Sequence, residues 1–553
     1  MDNNENKEEQ VVVEQTETKE KKKFNPVILI VIAIVFLLLL VVGTIVLAIV
    51  GVFGFRFLKS SKKTVTSKVN VVEVNKYADY QLAGNKIEAF DLYLLQLENN
   101  KKNMVYSPLS IKYALEMLNE GTSGDSKKQI TNILGTYQNK TYKNSANMSF
   151  ANAMFIKDTY KSSIKEAYVN TLTNKYNANV LYDSFKSPKA LNSWVSEKTF
   201  NLIDDLYDDI SDKDFILLNA LAIDMEWNKK IQSEHEDYEV IYDHEKYSKG
   251  IGALDSADYS GLDFSGISYK AKSAEIGAVA NKYDIVKTVG KETIKNTVKQ
   301  EYQKWVEEMQ KDETTSELIA QCPKYNDDAD LEKYVTEINK NYKQISSSTD
   351  FKFLVNSDVK VFAKDLKTYG GTTLQYVGIM PISTSLESYI KTVKADDLNN
   401  IVAELKDVKL ENFKEGTITE IKGYIPMFNY DYQLELIKDL KTLGITDIFD
   451  SGKANLSKMT KDKAYISDAL HKATIEFSND GIKAAAVTAL GGKGFVDECF
   501  NYLYEVPVET IDLTFDKPFM YIIRDKSTSE VWFMGTVYEP VKYVSGFDLD
   551  SIE

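Results

Sequence analysis

Histidine and cysteine, the side chains best suited to nucleophilic or metal chemistry, are scarce in this chain of 553 residues, with three and two copies. They are too few and too scattered for a structural zinc site, and the sequence predicts no metal or cofactor. His471 stands alone beside strand-like residues, where a histidine is usually a hydrogen-bonded member of the core. No set of nucleophile, base and oxyanion donors emerges, so we do not expect an enzyme.

The stretch SNDGIKAAAVTALGGKGF, residues 478–495, has the residue pattern of a segment that could become a β-strand. It opens as a turn, and a helix is disfavoured at its glycine pair 491–492, where each glycine costs ~1 kcal/mol relative to alanine. Its even positions are small or apolar with one hydroxyl: Ile482, Ala484, Ala486, Thr488, Leu490, Gly492 and Gly494. Both lysines, Lys483 and Lys493, fall on odd positions. Because side chains alternate between the two faces of a strand, this parity favours insertion into a sheet.

The elements around this stretch indicate a mixed α+β domain with helices early and strands late. Apolar residues recur at steps of three and four from Ile87 to Leu97, and a second helix follows Ser107. The run FILLNALAIDMEW, residues 215–227, predicts a buried central strand. Four further strands are predicted near residues 472–477, 509–515, 519–524 and 530–538.

A helical hairpin is predicted as an addition within residues 250–345. Two stripes at helical spacing carry this prediction: Ile294, Val298, Tyr302, Trp305 and Met309, then Leu331, Val335, Ile338, Tyr342 and Ile345. The loop QCPKYNDDAD between them offers acidic N-cap residues. Either a surface elaboration or a docking surface fits this pattern.

Thirty residues without a charge, 26–55, predict a transmembrane segment. At ~1.5 Å per residue they span ~45 Å, more than a hydrocarbon core of ~30 Å. The segment is too long for a cleaved signal peptide, so we expect a signal anchor after a polar tail, residues 1–25, and before a stalk, residues 56–80. The short tail favours a single pass through the cell membrane with the main domain outside.

The net charge of −15 argues against a nucleic-acid partner, which requires basic surface. A short acidic tail, residues 546–553, ends the chain. The sequence contains no tandem repeat.

Seven segments, in order and with compatible spacing outside the predicted addition, resemble the serpin family over residues 85 to 541. They are residues 103–130, 149–155, 191–203, 217–227, 443–449, 464–487 and 513–540. Two departures stand out. The family's Phe-Lys-Gly before the tryptophan is Ile223-Asp224-Met225 here, and its Thr-x-Gly-Lys-Ile is residues 199–203, TFNLI.

The resemblance implies a serpin-like fold over residues 81–545, with three β-sheets, about nine helices and an exposed reactive-centre loop. It also implies a suicide inhibitor of serine, or alternatively cysteine, endopeptidases, in which the cut loop enters the main sheet as a new strand. We expect a monomer. The alternative is a non-inhibitory serpin-fold protein that binds a partner through the added hairpin.

Counted as in the family, the loop hinge comprises Asn479, Asp480, Gly481, Ile482, Lys483, Ala484, Ala485 and Ala486. The bond offered to a protease is then Phe495-Val496, which favours a chymotrypsin-like target. Phe500, Tyr502 and Tyr504 are rival cut sites, and Lys493 would suit a trypsin-like enzyme. Ile482 replaces the family's usual Thr or Ser, and Lys483 its usual Glu.

Five residues match family positions that surround the site where the two central strands of the main sheet separate. They are Ser107, Ser110, Asn219, Trp227 and His471. The resemblance implies that His471 is hydrogen-bonded there and is not catalytic. Cys322 and Cys499 have no family counterpart. Outside the cell they could pair, tethering the loop C-terminal to Phe495-Val496, or stay as two thiols.

Overall fold

The computed structural model describes residues 80–231 except 85, 239–242, 269–311, 322–482 except 341, residue 500 and residues 506–542. The chain divides into two units, Met1–Glu73 and Val74–Glu553, and the described residues all belong to the second. The predicted anchor, stalk and acidic tail lie outside the described residues. Among the helices that the structure describes, none is long and apolar enough to cross a membrane.

Eleven α-helices lie in the described part of the chain, against about nine expected. They are α1 (Ala89–Glu98), α2 (Pro108–Glu120), α3 (Gly124–Leu134), α4 (Glu166–Tyr176), α5 (Lys189–Lys198), α6 (Ile285–Val289), α7 (Lys291–Met309), α8 (Asp328–Ile338), α9 (Leu386–Thr392), α10 (Ala395–Glu404) and α11 (Leu436–Thr442). Three short 3-10 helices span Asp158–Tyr160, Leu410–Asn412 and Asp447–Phe449.

Contrary to the sequence prediction, the strands are not concentrated late but are distributed along the described chain, because helices and strands are interleaved from residue 89 to residue 477. The first ten are β1 (Met104–Tyr106), β2 (Met148–Lys157), β3 (Asn179–Asp183), β4 (Phe215–Ile223), β5 (Met225–Glu226), β6 (Glu239–Tyr242), β7 (Tyr269–Asn281), β8 (Gln344–Ser347), β9 (Lys352–Val355) and β10 (Val359–Tyr369). They are followed by β11 (Thr372–Pro381), β12 (Lys406–Asp407), β13 (Ile418–Pro426), β14 (Phe428–Glu435), β15 (Leu470–Phe477), β16 (Gly481–Ile482), β17 (Val508–Asp512), β18 (Phe519–Asp525) and β19 (Val531–Val537).

Three main sheets organise these strands. A seven-stranded sheet runs in the order β1-β19-β18-β11-β10-β9-β12 and carries much of the core. A five-stranded sheet has the order β17-β13-β7-β6, with β8 also paired to β7. The third sheet, here called the opened sheet, is in two parts, β3-β2-β4 and β14-β15-β16-β5. Its two central strands, β4 and β15, have no direct pairing in the described residues, and β16 joins β15 only to β5, the short strand that follows β4.

The strand β4 is apolar throughout because both of its faces are covered. Ile216, Leu218 and Ala220 pack against α5 in a small outer core. Leu221 and Ile223 point to the opposite face and belong to the main core. The continuous apolar run that predicted a central strand is therefore explained by burial on two sides.

Helix α2 is held by a buried charge cluster around Lys112, whose side chain is 1% exposed. Its Nζ lies 2.7 Å from Asp91 on α1 and 2.7 Å from Glu530 beside β19. These charges offset the desolvation of Lys112 and raise its pKa. The cluster fixes the position of α2, whose N-terminus reaches the opened sheet.

Helices α7 and α8 contain most of the two predicted stripes and share a hydrophobic cluster, and Asp327 caps α8 by accepting a hydrogen bond from the Asp330 amide at 2.8 Å. One part of the prediction is wrong. Helix α8 ends at Ile338, so Tyr342 lies beyond it and Ile345 lies in β8. The reason is backbone pairing, because β8 bonds to β7 from Ala278 to Asn281 and cannot remain helical there.

Candidate functional site

The opening between β4 and β15 is the candidate site. Two cavities of about 70 and 130 Å³ follow each other along it. The first is lined by residues 217–221 and 470–473, and the second by residues 221–223 and 474–476. Thr199 and Ile203, after α5, line both cavities, and Phe533 of β19 does so as well. In the described residues no backbone bond joins β4 to β15 across this gap.

The N-terminus of α2 lies at the first cavity. Ser107 is the N-cap, and its Oγ accepts from the Ser110 amide at 3.1 Å. The Ser107 amide donates to His471 Nε2 at 3.0 Å, so the histidine of β15 meets an amide that the helix leaves unpaired. Ser110 Oγ donates to the Asn219 carbonyl of β4 at 3.1 Å. The helix therefore touches both edges of the gap.

Asn219 lies opposite His471 across the opening but is bonded to its own side. Its Nδ2 donates to Asn152 Oδ1 of β2 at 2.8 Å. Its Oδ1 is buried and has no hydrogen-bond partner in the described residues. Because a buried acceptor without a partner is unfavourable, a hydrogen-bond donor that enters the gap near Asn219 Oδ1 would be stabilised there.

His471 is 8% exposed, and burial lowers the pKa of its imidazole to about 4. The ring is therefore neutral at neutral pH, and its Nε2 is free of a proton to accept from Ser107. No hydroxyl nucleophile is bonded to it in the described residues, so the arrangement does not resemble a catalytic triad.

The hinge begins inside the opened sheet. β16 pairs antiparallel with β15 through Phe477 and Ile482, and with β5 through Gly481 opposite Glu226 and Ile482 opposite Met225. Trp227, which is fully buried, donates from Nε1 to the Ser478 carbonyl at 2.9 Å and from its amide to the Asp480 carbonyl at 3.0 Å. The first residues of the loop thus already occupy the top of the gap.

Gly481 is required by the closeness of β5. A Cβ at this position would lie 2.3 Å from the Met225 carbonyl oxygen and 2.6 Å from the Glu226 Cα, both backbone atoms that cannot yield. Asp480 is held by Lys230, with Oδ1 and Nζ 2.5 Å apart. Asn479 contributes its carbonyl to the Ile231 amide at 3.0 Å.

The structure brings Ser107, Ser110, Asn219 and His471 around one cavity and places Trp227 above it, at the hinge. Residues beyond Ile482 in the loop lie outside the described residues: Lys483, Ala484, Ala485, Ala486, Lys493, Phe495, Val496 and Cys499, with Tyr502 and Tyr504 further on.

Two other predicted residues, Cys322 between α7 and α8 and Phe500 in the C-terminal part of the loop, are among the described residues. Cys322 is 5% exposed and disulfide-bonded, while the other cysteine of the chain, Cys499, is outside the described residues. Phe500, a rival cut site, is 9% exposed and packs on α7. Sequence reasoning missed this contact, since nothing in the spacing relates residue 500 to a helix some two hundred residues earlier.

Comparisons with known proteins agree with this geometry. The family model Serpin (serine protease inhibitor) matches residues 84–249 and 367–540. An uncharacterized serpin-like protein of Methanosarcina acetivorans is 21% identical over 506 residues, covering 87% of this chain and 92% of its own. The leukocyte elastase inhibitor of Xenopus tropicalis is 22% identical, covering 82% of this chain and 97% of its own.

A solved structure, the native state of the thermophilic serpin tengpin, superposes with a TM-score of 0.53 at 20% identity and covers 82% of this chain and 93% of its own. The fold and the matched segments define a class of proteins that typically inhibit proteases and are not enzymes. This chain belongs to the serpin family.

The buried His471 predicts a pH-dependent stability. Between pH 6.5, the ordinary pKa, and about 4, the unfolded chain binds a proton that the folded chain does not, so stability falls as the pH is lowered. The loss should approach about 3 kcal/mol relative to His471→Gln. Urea unfolding of both chains at pH 7 and pH 4 measures it. Parallel losses in the two would contradict a neutral buried imidazole.

Proposed function

We propose that the protein is a suicide inhibitor of serine endopeptidases, displayed at the cell surface. The serine of the target protease attacks the carbonyl carbon of residue 495. The 495–496 peptide bond breaks, residue 496 leaves as a new amine, and the loop stays bound as an acyl ester. Insertion of the freed strand between β4 and β15 then distorts the protease before water releases the ester.

The pairing of β16 carries this proposal. Ile482 stands opposite Met225 and Phe477, so it starts a strand antiparallel to both edges. Extended without a slip, this register pairs residues 482–492 of the loop with residues 225–215, the whole of β4. Met225 and Phe477 belong to the main core, as do Leu221 and Ile475 further down the gap. The even loop positions would therefore face that core.

The one hydroxyl among the even positions falls where the gap needs a donor. In the extended register Thr488 is opposite Asn219 on β4 and His471 on β15. Asn219 Oδ1 is buried without a partner in the described residues. A threonine hydroxyl there can donate to Asn219, so insertion would satisfy an acceptor that the uncut protein leaves unpaired.

The two lysines of the loop also find partners in this register. Lys483 would stand opposite Asp224, and Lys493 opposite Asp214, at the two ends of β4. Between them, Ala485 would stand opposite the buried Ala222, and Val487, Ala489 and Gly491 opposite the β4 residues that α5 covers. The small loop side chains would therefore lie along the part of β4 that is buried, and the two lysines would lie at the two ends of β4. The departures from the family at positions 224 and 483 are complementary, a carboxylate facing an ammonium.

The target follows from the residue before the cut. Phe495 suits the apolar pocket of a chymotrypsin-like protease, and Lys493 is the alternative for a trypsin-like one. Burial of Phe500 makes it a poor rival. The relatives named as elastase inhibitors support a protease target without specifying it.

We also propose that residues 26–55 anchor the protein with its serpin domain outside the cell. The support is the run of thirty uncharged residues. Because an arginine at the centre of a membrane helix costs roughly 3 kcal/mol, Leu38→Arg with Leu39→Arg should move the chain out of the carbonate-washed membrane pellet. Protease added to intact cells should remove the domain. Protection of the domain in intact cells would reverse the proposed orientation.

Inhibition is tested with the full-length chain and chymotrypsin-like or trypsin-like proteases. We expect an SDS-stable complex with the chymotrypsin-like enzyme and a higher melting temperature of the cleaved chain, because insertion pairs the edges of β4 and β15. Clean cleavage without a complex would favour the alternative, a non-inhibitory serpin-fold protein that binds a partner through its hairpin.

The charge pair gives a second, sharper test. Lys483→Glu would place like charges opposite Asp224 and Glu476, which costs about 1 kcal/mol and slows insertion. The ratio of inhibitor molecules cleaved without trapping to those that trap a protease should rise about fivefold. Adding Asp224→Lys should lower it again, while Lys483→Gln should be intermediate. If the double variant consumes as many molecules as Lys483→Glu alone, the register is wrong.

A further inference from the structure

The α7–α8 hairpin has a hydrophobic core of its own. Its buried members are Ile285, Ile294, Val298, Tyr302, Leu331, Tyr334, Val335 and Phe500, and they form a cluster separate from the main core. Lys295 of α7 joins the two helices, with Nζ 2.9 Å from both Asp328 and Glu332. The hairpin is therefore a small folded lobe and not a strip of surface laid over the main domain.

One member of this core, Phe500, comes from the far side of the reactive loop. Its ring centroid lies 5.3 Å from that of Tyr302, 5.9 Å from Trp305 and 5.7 Å from Tyr325. The Tyr302 contact is edge to face, a favourable geometry for aromatic pairs. Below, the aromatic pocket means Tyr302, Trp305 and Tyr325.

The five-stranded sheet explains why these parts meet. β7 ends at Asn281, where the insertion begins, and β17 begins at Val508, where the loop returns to the fold. Ile418 of β13 pairs with both residues, with Asn281 on one side and Val508 on the other. The insertion begins and the loop returns at the same end of this sheet, where β7 ends and β17 begins. Phe500 is only eight residues before the start of β17.

The connection between α7 and α8 also carries a disulfide-bonded cysteine, Cys322. The chain has one other cysteine, Cys499, and it directly precedes Phe500.

We propose that the aromatic pocket is a clamp on the C-terminal flank of the reactive loop and that it determines which bond a protease can cut. Phe500 thus determines which bond of the loop is cut, and it does so by holding the C-terminal flank of the loop in place. This inference rests on the proposed function, because it assumes that a protease cleaves the loop as a substrate.

Two physical consequences follow. A protease must place the residue before the cut in its own pocket, which Phe500 cannot enter while it fills the hairpin core. Phe500 and Val506 both pack on this core, so the five residues between them in the sequence, which include Tyr502 and Tyr504, are joined to it at both ends, and we expect a protease to cut there less readily. The residues N-terminal to Cys499 are left as the accessible stretch. Phe495 remains within ~17 Å of Phe500 at full extension, so a bound protease works beside the hairpin.

The clamp is tested by limited digestion of the full-length chain with chymotrypsin, with the new N-termini identified by mass spectrometry. The unaltered chain should be cut N-terminal to Cys499. In Phe500→Ala and in Trp305→Ala, which opens the pocket from the other side, cuts after Tyr502 and Tyr504 should become major products, moving the new N-terminus to Leu503 or Glu505. Phe500→Leu should restore the original pattern, because it refills the pocket.

Tyr342→Ala is the matched control, because it removes an aromatic side chain of the insertion outside this core and should leave the cut unchanged. Reduction with dithiothreitol should increase the shift in Phe500→Ala, since the disulfide of Cys322 no longer assists. Identical cut sites in the unaltered chain, Phe500→Ala and Trp305→Ala, with and without reductant, would overturn the clamp. The digest needs no trapped complex, so a chain that fails to inhibit but shows the shift supports the clamp and contradicts only the proposed function.

Discussion

Two strand edges that face each other without bonding are the constraint on which the rest of this structure depends. Along β4 and β15 the backbone amides and carbonyls of the facing edges have no strand partner among the described residues, from the His471 level up to β16. Unpaired backbone groups beside a packed core are costly, and an open edge accepts any strand that fits. Gly481 and Ile482 close only the top of the gap. The remaining gap favours whichever strand can complete it.

The segment after α5 borders the gap. Thr199 and Ile203 line both cavities, and Ile203 belongs to the same small core as Ile216 and Leu218 of β4. Further along, the Tyr207 hydroxyl donates to Asp468 at 2.7 Å, and Lys472 Nζ donates to the Asp205 carbonyl at 3.1 Å, both on the β15 side. The segment is thus tied to both halves of the opened sheet. Under the proposed insertion an entering strand would have to displace this segment, which would add a barrier without changing the final gain in pairing.

The sequence predicted those elements of the fold that depend on residues close together in the chain. The run at β4 and the two stripes up to Ile338 were right, because burial on a face leaves a periodic trace in the sequence. The spacing of Tyr342 and Ile345 continues the stripe, but pairing with β7 overrides it. The sequence offers Phe500 only as a rival cut site, because an aromatic residue in a loop has no local signature of its distant partner. Such contacts depend on how the five-stranded sheet aligns β7 with β17.

The loop is therefore fixed at two points by different means. At its start Gly481 fits between β5 and β15 where no side chain would. At its end Phe500 fills the core of the hairpin. In the extended register, residues 482–492 would run the length of β4, away from β5, while Phe500 stays beside the five-stranded sheet. Under the proposed register, an intact loop would have to release Phe500 or run residues 493–499 back along the gap. A cut N-terminal to Phe500 would remove this conflict, so the proposed clamp would also make insertion depend on the cut.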